Sequence, residues 1–379
     1  MFVDHLTLAD FRSYPSADFA LEPGATTFVG ANGQGKTNLV EAIDYLASLG
    51  SHRVSSDIPL VRHTAEKALV RARVRAGLDD DRAVLLEVEI NPGRANRARL
   101  NRSPVQRPRE LLGILRTVVF SPEDLAIVKG DPGERRRFID QLLITRWPRM
   151  AAVKADYDKV LKQRSALLKS LAGRSQSAQG DAEHTLAVWN DQLARFGAEL
   201  LQARLRTLAE LAPYAAEAYA AIAPRNNLAK ITYAPAMPLP AGDDRDELAA
   251  ALIEQMEQRR EEELRRGLTL VGPHRDEITL ELGDLPARGY ASHGESWSFA
   301  LSLRLGGFDL LRADGLQPVL ILDDVFAELD ATRRERLAGH VAEAEQVLIT
   351  AAVAGDVPGQ LAGARFIVED GNITSEEQP

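Results

Sequence analysis

The sequence predicts an α/β fold interrupted by a helical insertion, and three observations carry that prediction. A glycine-rich loop, Gly30 to Thr37, lies between a strand pattern and a helical pattern. A strongly apolar strand, Val319 to Leu322, runs into two acids, Asp323 and Asp324, near the other end of the chain. Between these segments the middle of the chain repeats apolar residues at heptad spacing.

Taken in order, Phe2, His5, Leu6 and Leu8 suggest a first strand and Asp18 to Leu21 a second. Ala25 to Val29 suggest a third, which enters the glycine-rich loop. From Asn38 to Leu49 the period changes, with Leu39, Ile43 and Leu46 on one helical stripe. Ala68 to Leu100 reads as antiparallel β: Val70, Ala72 and Val74 alternate with Arg71, Arg73 and Arg75. After a turn at Gly77 to Asp81, Val84, Leu86, Val88 and Ile90 alternate with Glu87 and Glu89. Pro92-Gly93 marks the next turn, ahead of an Arg-rich strand.

The middle is helical. Val153, Val160 and Leu167 form one heptad stripe with Tyr157 and Leu171. Leu186, Leu193 and Leu200 form another, accompanied by Trp189, Phe196 and Ala203. A polar stretch, Ala172 to Asp181, joins them. The pattern fits either a short antiparallel coiled-coil hairpin or two amphipathic helices of a compact helical domain. A Pro-rich stretch, Tyr233 to Pro240, ends this region. Asp246 to Arg266 reads as a charged helix, and α/β character returns from Gly267. The expected division is an N-terminal half-domain over 1–130, a helical arm over 131–266 and a C-terminal half-domain over 267–379.

Composition narrows the class. With 379 residues, 45% hydrophobic and 27% charged, the chain suits a globular protein of two or three domains. No stretch reaches the roughly 20 apolar residues of a membrane span, and the N-terminus carries no secretory pattern. The chain has no cysteine, which excludes disulfides and thiolate metal sites, and a cytoplasmic location is expected. The net charge of -9 supplies no global attraction to nucleic acid, so DNA binding would need a local basic patch.

The chemistry concentrates in three segments. Gly30-Ala31-Asn32-Gly33-Gln34-Gly35-Lys36-Thr37 fits the P-loop pattern G-x-x-x-x-G-K-[ST]. Its glycines turn backbone N–H groups inward onto phosphates, Lys36 reaches the outer phosphates, and the Thr37 hydroxyl suits Mg²⁺. At the carboxyl end of the apolar strand, Asp323 suits a Mg²⁺ ligand and Asp324 an acid that polarises the attacking water. Ser292, Gly294 and Glu295 open an amphipathic helix, Ser296 to Leu311, where backbone N–H groups make an anion site. Alone, that segment reads as an N-cap with its capping acid.

P-loop, helix-opening signature and double-acid strand occur in the order of ATP-binding cassette (ABC) ATPases. With these motifs stand Asp10-Phe11-Arg12-Ser13-Tyr14, Asn38, Phe120-Ser121-Pro122-Glu123-Asp124-Leu125, Arg135-Arg136, Gly272-Pro273-His274-Arg275-Asp276, and Asp323 through Asp330. This set resembles the RecF family, bacterial recombination and replication-repair ATPases related to SMC and Rad50 heads. The resemblance runs nearly end to end.

It implies an ABC-type P-loop head with an antiparallel β subdomain and a helical insertion. ATP and Mg²⁺ would bind at the P-loop, with Arg12 and Asn38 beside it. Two heads would sandwich two ATP molecules, each closed by Ser292, Gly294 and Glu295 of the other subunit, with Asp330 in the interfacial D-loop. It further implies an ATP-dependent homodimer on double-stranded DNA and single-strand/double-strand junctions, working with RecR, and through RecO toward RecA loading in recombinational repair. Three departures from the wider ABC pattern stand out: no evident Q-loop glutamine, with Glu123 as a stand-in metal ligand; Asp324 where Glu is usual; and no His after Ile349-Thr350. Together they favour slow, switch-like hydrolysis, a weak DNA-stimulated ATPase.

For DNA, the candidates are Arg71 and Arg73 on one strand face and Arg97, Arg99 and Arg102 on the next. The hairpin pattern also places Arg71 near Glu87, so ordinary cross-strand ion pairs are the alternative. Two other readings fit the P-loop. A membrane-transporter ATPase subunit would have a shorter insertion between P-loop and signature. An SMC-type tether would need a longer coiled coil.

Overall fold

The computed structural model describes residues 1–172, 176–223 and 228–376. Part of the turn expected between the heptad stripes, residues 173–175, lies outside the described residues. The chain divides into two compact units. One comprises Met1–Ala126, Tyr214–Leu228 and Ser292–Pro379, and the other Ile127–Pro213 and Ala229–Ala291.

The first unit is built on two six-stranded sheets. In the first, the order is Asn372–Glu376, Ala364–Glu369, Gly24–Val29, Gln346–Ala351, Val319–Asp323 and Thr117–Phe120, with every pairing parallel except the antiparallel edge Asn372–Glu376. Val319–Asp323 and Gln346–Ala351 are buried along their whole length, which is why Val319 to Leu322 reads as an unbroken apolar run. The second sheet is antiparallel, in the order Tyr14–Ala20, Phe2–Phe11, Ala68–Gly77, Asp80–Ile90, Arg97–Leu100, Ser103–Pro104. Its pleat buries Val70, Ala72 and Val74 and turns the intervening arginines out. The helix Lys36–Ser48 packs against both sheets, since Leu39, Val40, Ile43 and Leu46 share a core with Leu6, Leu8, Val70, Leu86, Ile321 and Leu348. Burying each such side chain contributes about 1.5–3 kcal/mol, so the helix that carries the P-loop rests on a rigid floor.

The second unit is helical with a small three-stranded antiparallel sheet, Leu285–Pro286, Glu277–Leu282 and Ala229–Ala234. Its helices are Pro132–Arg146, Met150–Leu171, part of the 47-residue helix Gln176–Ile222, and the pair Arg245–Gln258 and Arg260–Arg266. Tyr157, Val160, Leu193 and Leu200, from the two heptad stripes, share a core with Leu248, Leu252 and Met256. The stripes therefore belong to a compact helical domain here rather than to an isolated two-helix coil, because a third helix covers the seam. The unit also keeps residues 267–291, which the sequence division had assigned to the C-terminal half-domain. The physical reason is the pairing of Glu277–Leu282 with Ala229–Ala234, from Glu277↔Ala234 to Leu282↔Ala229.

Polar side chains fix this core. Arg204, almost fully buried, makes a bidentate pair with Asp140 at 2.8 and 2.9 Å and donates to the Pro273 carbonyl at 2.6 Å. Arg164 Nη2 meets Glu263 at 2.6 Å, again with both groups buried. Arg135 binds Glu277 and Arg136 the Asp276 carbonyl, so these two arginines are used inside the unit rather than at a phosphate site.

His274 stands 2.7 Å from the Tyr157 hydroxyl through Nδ1 and 3.2 Å from the Thr269 carbonyl through Nε2. The carbonyl can only accept, which selects the neutral tautomer with hydrogen on Nε2. Burial pushes its pKa down from 6.5 to about 4. The folded value lies below the unfolded one, so stability is whole above 6.5 and drains away as pH falls toward about 4. His274→Gln removes this titration. Between those limits the parent is expected to lose up to about 3 kcal/mol more than the variant in urea unfolding.

Candidate nucleotide-binding site

The strand Gly24–Val29 delivers the chain into the P-loop, and Gly35 closes that loop with φ 106°. A side chain at Gly35 would be strained by that backbone and would meet Ser13 Oγ and Tyr14 Oη at 2.9 Å. Tyr14 Oη instead donates to the Gly35 carbonyl at 3.2 Å, so the first hairpin braces the loop. Lys36 Nζ donates to the carbonyls of Gly30 and Ala31 at 2.8 and 3.1 Å, spanning the loop, while Gln34 Oε1 accepts from the Asp370 N–H. Asn32, Gly33, Gly35, Lys36, Thr37, Asn38, Arg53 and Asp324 line a cavity of about 240 Å³.

The strand order brings Asp324 to this cavity and sets Asp323 against Thr37 in its wall. The P-loop strand and the acid strand flank Gln346–Ala351, where Thr350 pairs with Phe28 on one side and Asp323 on the other. Asp323 Oδ1 accepts from Thr37 Oγ1 at 2.8 Å and from Thr350 Oγ1 at 2.6 Å. Asp323 is 3% exposed. Burial raises its carboxyl above the usual carboxylate range, against the opposing hydrogen bonds from Thr350 and Thr37. Asp324 has left-handed backbone, φ 51°, and its N–H donates to Thr350 Oγ1 at 2.9 Å. One threonine hydroxyl therefore orders both acids. Sequence reasoning missed Thr350, whose role depends on a neighbouring strand.

Arg53 and Glu41 were also missed. Glu41, fully buried, takes a bidentate pair from Arg12 at 2.8 and 2.6 Å, and Arg53 Nη1 approaches it at 3.3 Å. Arg53 also donates to Asn38 Oδ1 at 3.1 Å, and Asn38 Nδ2 donates to Ser13 Oγ at 3.0 Å. Arg12 is thus held by Glu41 and lines an adjoining cavity with Ser13, Asn38, Arg53 and Ile58, not the P-loop cavity itself.

Ser292 caps the helix His293–Ala313: its N–H donates to Glu295 Oε2 at 2.8 Å and its Oγ accepts from the Glu295 N–H at 3.3 Å. Asp330 caps Ala331–Val341. Neither Ser292, Gly294 nor Glu295 lines the P-loop cavity of its own chain. Glu123, expected as a metal ligand, does not line it either. In Ser121-Pro122-Glu123-Asp124 the capping acid is Asp124, which accepts from the Ser121 N–H and from Arg304, and the one-turn helix leaves Glu123 exposed.

The arginines of the antiparallel sheet make the ion pairs that were the alternative to DNA contact. Arg71 and Arg99 both pair with Glu87, Arg73 and Arg75 both pair with Asp4, and Arg97 lies 3.9 Å from Glu89. Each acid is shared by two arginines, so each group keeps positive charge while its arginines are held in place. Arg97, 82% exposed with a distant partner, and Arg102 on the turn with φ 69° have the most to offer a phosphate.

A parallel sheet that joins a P-loop strand to a double-acid strand, a facing antiparallel sheet and a capped signature helix define an ATPase head of the ABC and SMC class. The family model for the RecF/RecN/SMC N-terminal domain matches residues 2–358. The chain is 59% identical to the DNA replication and repair protein RecF of Cutibacterium acnes, over 100% of this chain and 99% of that one. It is 59% identical to the protein of the same name from Streptomyces avermitilis, over 98% and 99%. Among solved structures, the recombination mediator protein RecF with ATP, in the RecFOR pathway, superposes with a TM-score of 0.89 at 27% identity, over 99% and 98% of the two chains. The Smc head of Pyrococcus furiosus, at 17% identity and a TM-score of 0.55, shares the fold. The chain belongs to the RecF family. Among the described residues no helix is long and apolar enough to cross a membrane.

Proposed function

We propose that this chain is an ATP-dependent DNA-binding protein of recombinational repair and replication restart, in which ATP joins two heads into a clamp on duplex DNA beside single-strand gaps. The observation that carries the reading is the incomplete site: the P-loop and Asp324 line one cavity, with Asp323 hydrogen-bonded to Thr37 in its wall, whereas Ser292, Gly294 and Glu295 form a helix start suited to an anion outside it. A second copy facing the first would bring that helix start to the nucleotide, with Asp330 of the D-loop at the same interface. RecR, with RecO, is the proposed partner, promoting RecA loading. The relatives' name, DNA replication and repair protein, and the RecFOR pathway of the solved homologue support this assignment.

Lys36 would leave its loop carbonyls for the outer phosphates of ATP. Asp324, at the cavity wall, would hold the attacking water. Thr37 Oγ1 and Asp323 Oδ1, 2.8 Å apart and both hard oxygens, suit Mg²⁺, and among the described residues there is no cage of three or more acid or His ligands. Bound Mg²⁺ would neutralise charge on the β- and γ-phosphates. With Asp324 one methylene shorter than Glu, slow hydrolysis that resets the clamp is the proposed cycle, with DNA as the stimulus.

Duplex affinity, measured as a function of salt with and without ATP, tests the DNA assignment. Tight binding is expected only with ATP. Replacing Arg97, Arg99 and Arg102 together should reduce the log–log salt slope by about 1–3. Equal binding with and without ATP would refute the clamp, and an unchanged slope would remove these arginines from the contact.

A further inference from the structure

Arg333 lies where the helix after the acid strand meets the start of the signature helix. Asp330 caps the first of these helices by accepting from the Arg333 N–H at 3.0 Å. The Arg333 side chain then folds back, placing Nη1 3.1 Å from Asp330 Oδ2. Its two terminal nitrogens press on Gly294, where an added Cβ would lie 3.2 and 3.4 Å from them. Only 16% of the side chain is exposed, and Nε has no hydrogen-bond partner.

This is an unusual place for a cation. The start of a helix carries the positive end of its dipole, and a largely buried guanidinium beside it adds like charge. Glu295 and Asp330 offset part of that charge: the Ser292 hydrogen bonds, and then the nearby Arg333 charge, keep the Glu295 carboxyl below its usual range. An ordinary capping pair between Asp330 and Arg333 would stay in solvent and contribute little. Here the guanidinium instead lies, largely buried, against the bare Cα of Gly294.

We propose that Arg333 is a positioning residue for the part of the site supplied in trans: it locks the Ser292–Glu295 turn to Asp330 and backs it with fixed positive charge, ready for the terminal phosphate of a nucleotide held by a second copy of this chain. The proposal rests on reading Ser292–Glu295 as the trans-acting segment. Signature and D-loop then move as one body, so the chain presents both to its partner in register. A side chain at 294 would press on the guanidinium, which would have to give by a few tenths of an ångström.

Arg333→Gln keeps most of the volume and the polar hydrogens but removes the charge; Arg333→Lys keeps charge without the planar fork. For each, affinity for a fluorescent ATP analogue, ATP-dependent dimer mass and ATP turnover are measured on the full chain beside Ser292→Arg. Arg333→Gln should bind the analogue like the parent, which also reports that it is folded, and should dimerise with ATP about tenfold or more weakly. Arg333→Lys should recover part of that loss. Parent-like dimerisation by Arg333→Gln, or analogue affinity falling as far as dimerisation, overturns the proposal. If Ser292→Arg fails to dimerise while Arg333→Gln succeeds, only the role of Arg333 falls. If both dimerise, the trans-signature reading falls with it.

Discussion

Replacing Asp324 with Asn is expected to slow ATP turnover by about 10²–10⁴-fold, the range of a lost general base, while ATP affinity changes little. The substitution is conservative where it must be. Asn adopts left-handed backbone readily, so φ 51° and the N–H bond to Thr350 Oγ1 persist. What disappears is the carboxylate at the cavity wall. Single-turnover hydrolysis beside equilibrium binding checks this. A comparable fall in affinity would mean that Asp324 acts in binding rather than in the chemical step. The ATP-bound dimer should also accumulate in this variant, because the step that ends it is blocked.

Asp140→Ala should destabilise the helical unit by about 3–5 kcal/mol, because it leaves a buried guanidinium uncompensated. After the change Arg204 keeps the Pro273 carbonyl at 2.6 Å and the Tyr233 hydroxyl but loses its paired carboxylate, and water has little access to a side chain 2% exposed. Urea unfolding gives the number. The double variant Asp140→Leu/Arg204→Met, which removes both charges, should recover much of the loss. If it is as unstable as the single variant, packing rather than charge pairing governs this core.

Much of the first unit was legible because its signals are local. The P-loop announces itself through glycine positions within one turn, and the acid strand through an unbroken apolar run that ends in carboxylates. Alternation in Ala68–Gly77 likewise follows from the pleat. What escaped the sequence is tertiary. Thr350 is an ordinary strand threonine until the sheet order sets it between Phe28 and Asp323. Asp4, which takes Arg73 and Arg75, lies on a strand about seventy residues earlier, so this pairing, unlike that of Arg71 with Glu87, was not visible in the hairpin pattern. That Asp124 rather than Glu123 takes the cap of its short helix was likewise not visible. The heptad stripes were visible, but the period of a seam does not say whether one helix or several cover it, and Leu248, Leu252 and Met256 do so here.

The central claim is that one chain holds half of each ATP site and a second copy supplies the rest. Sedimentation of the Asp324→Asn chain with and without ATP, with and without Ser292→Arg in the same background, tests it most directly. The account predicts a doubling of mass on ATP addition for Asp324→Asn, and a monomer that still binds ATP when Ser292→Arg is added. An ATP-dependent dimer that survives Ser292→Arg, or the same mass with and without ATP in Asp324→Asn, would contradict it.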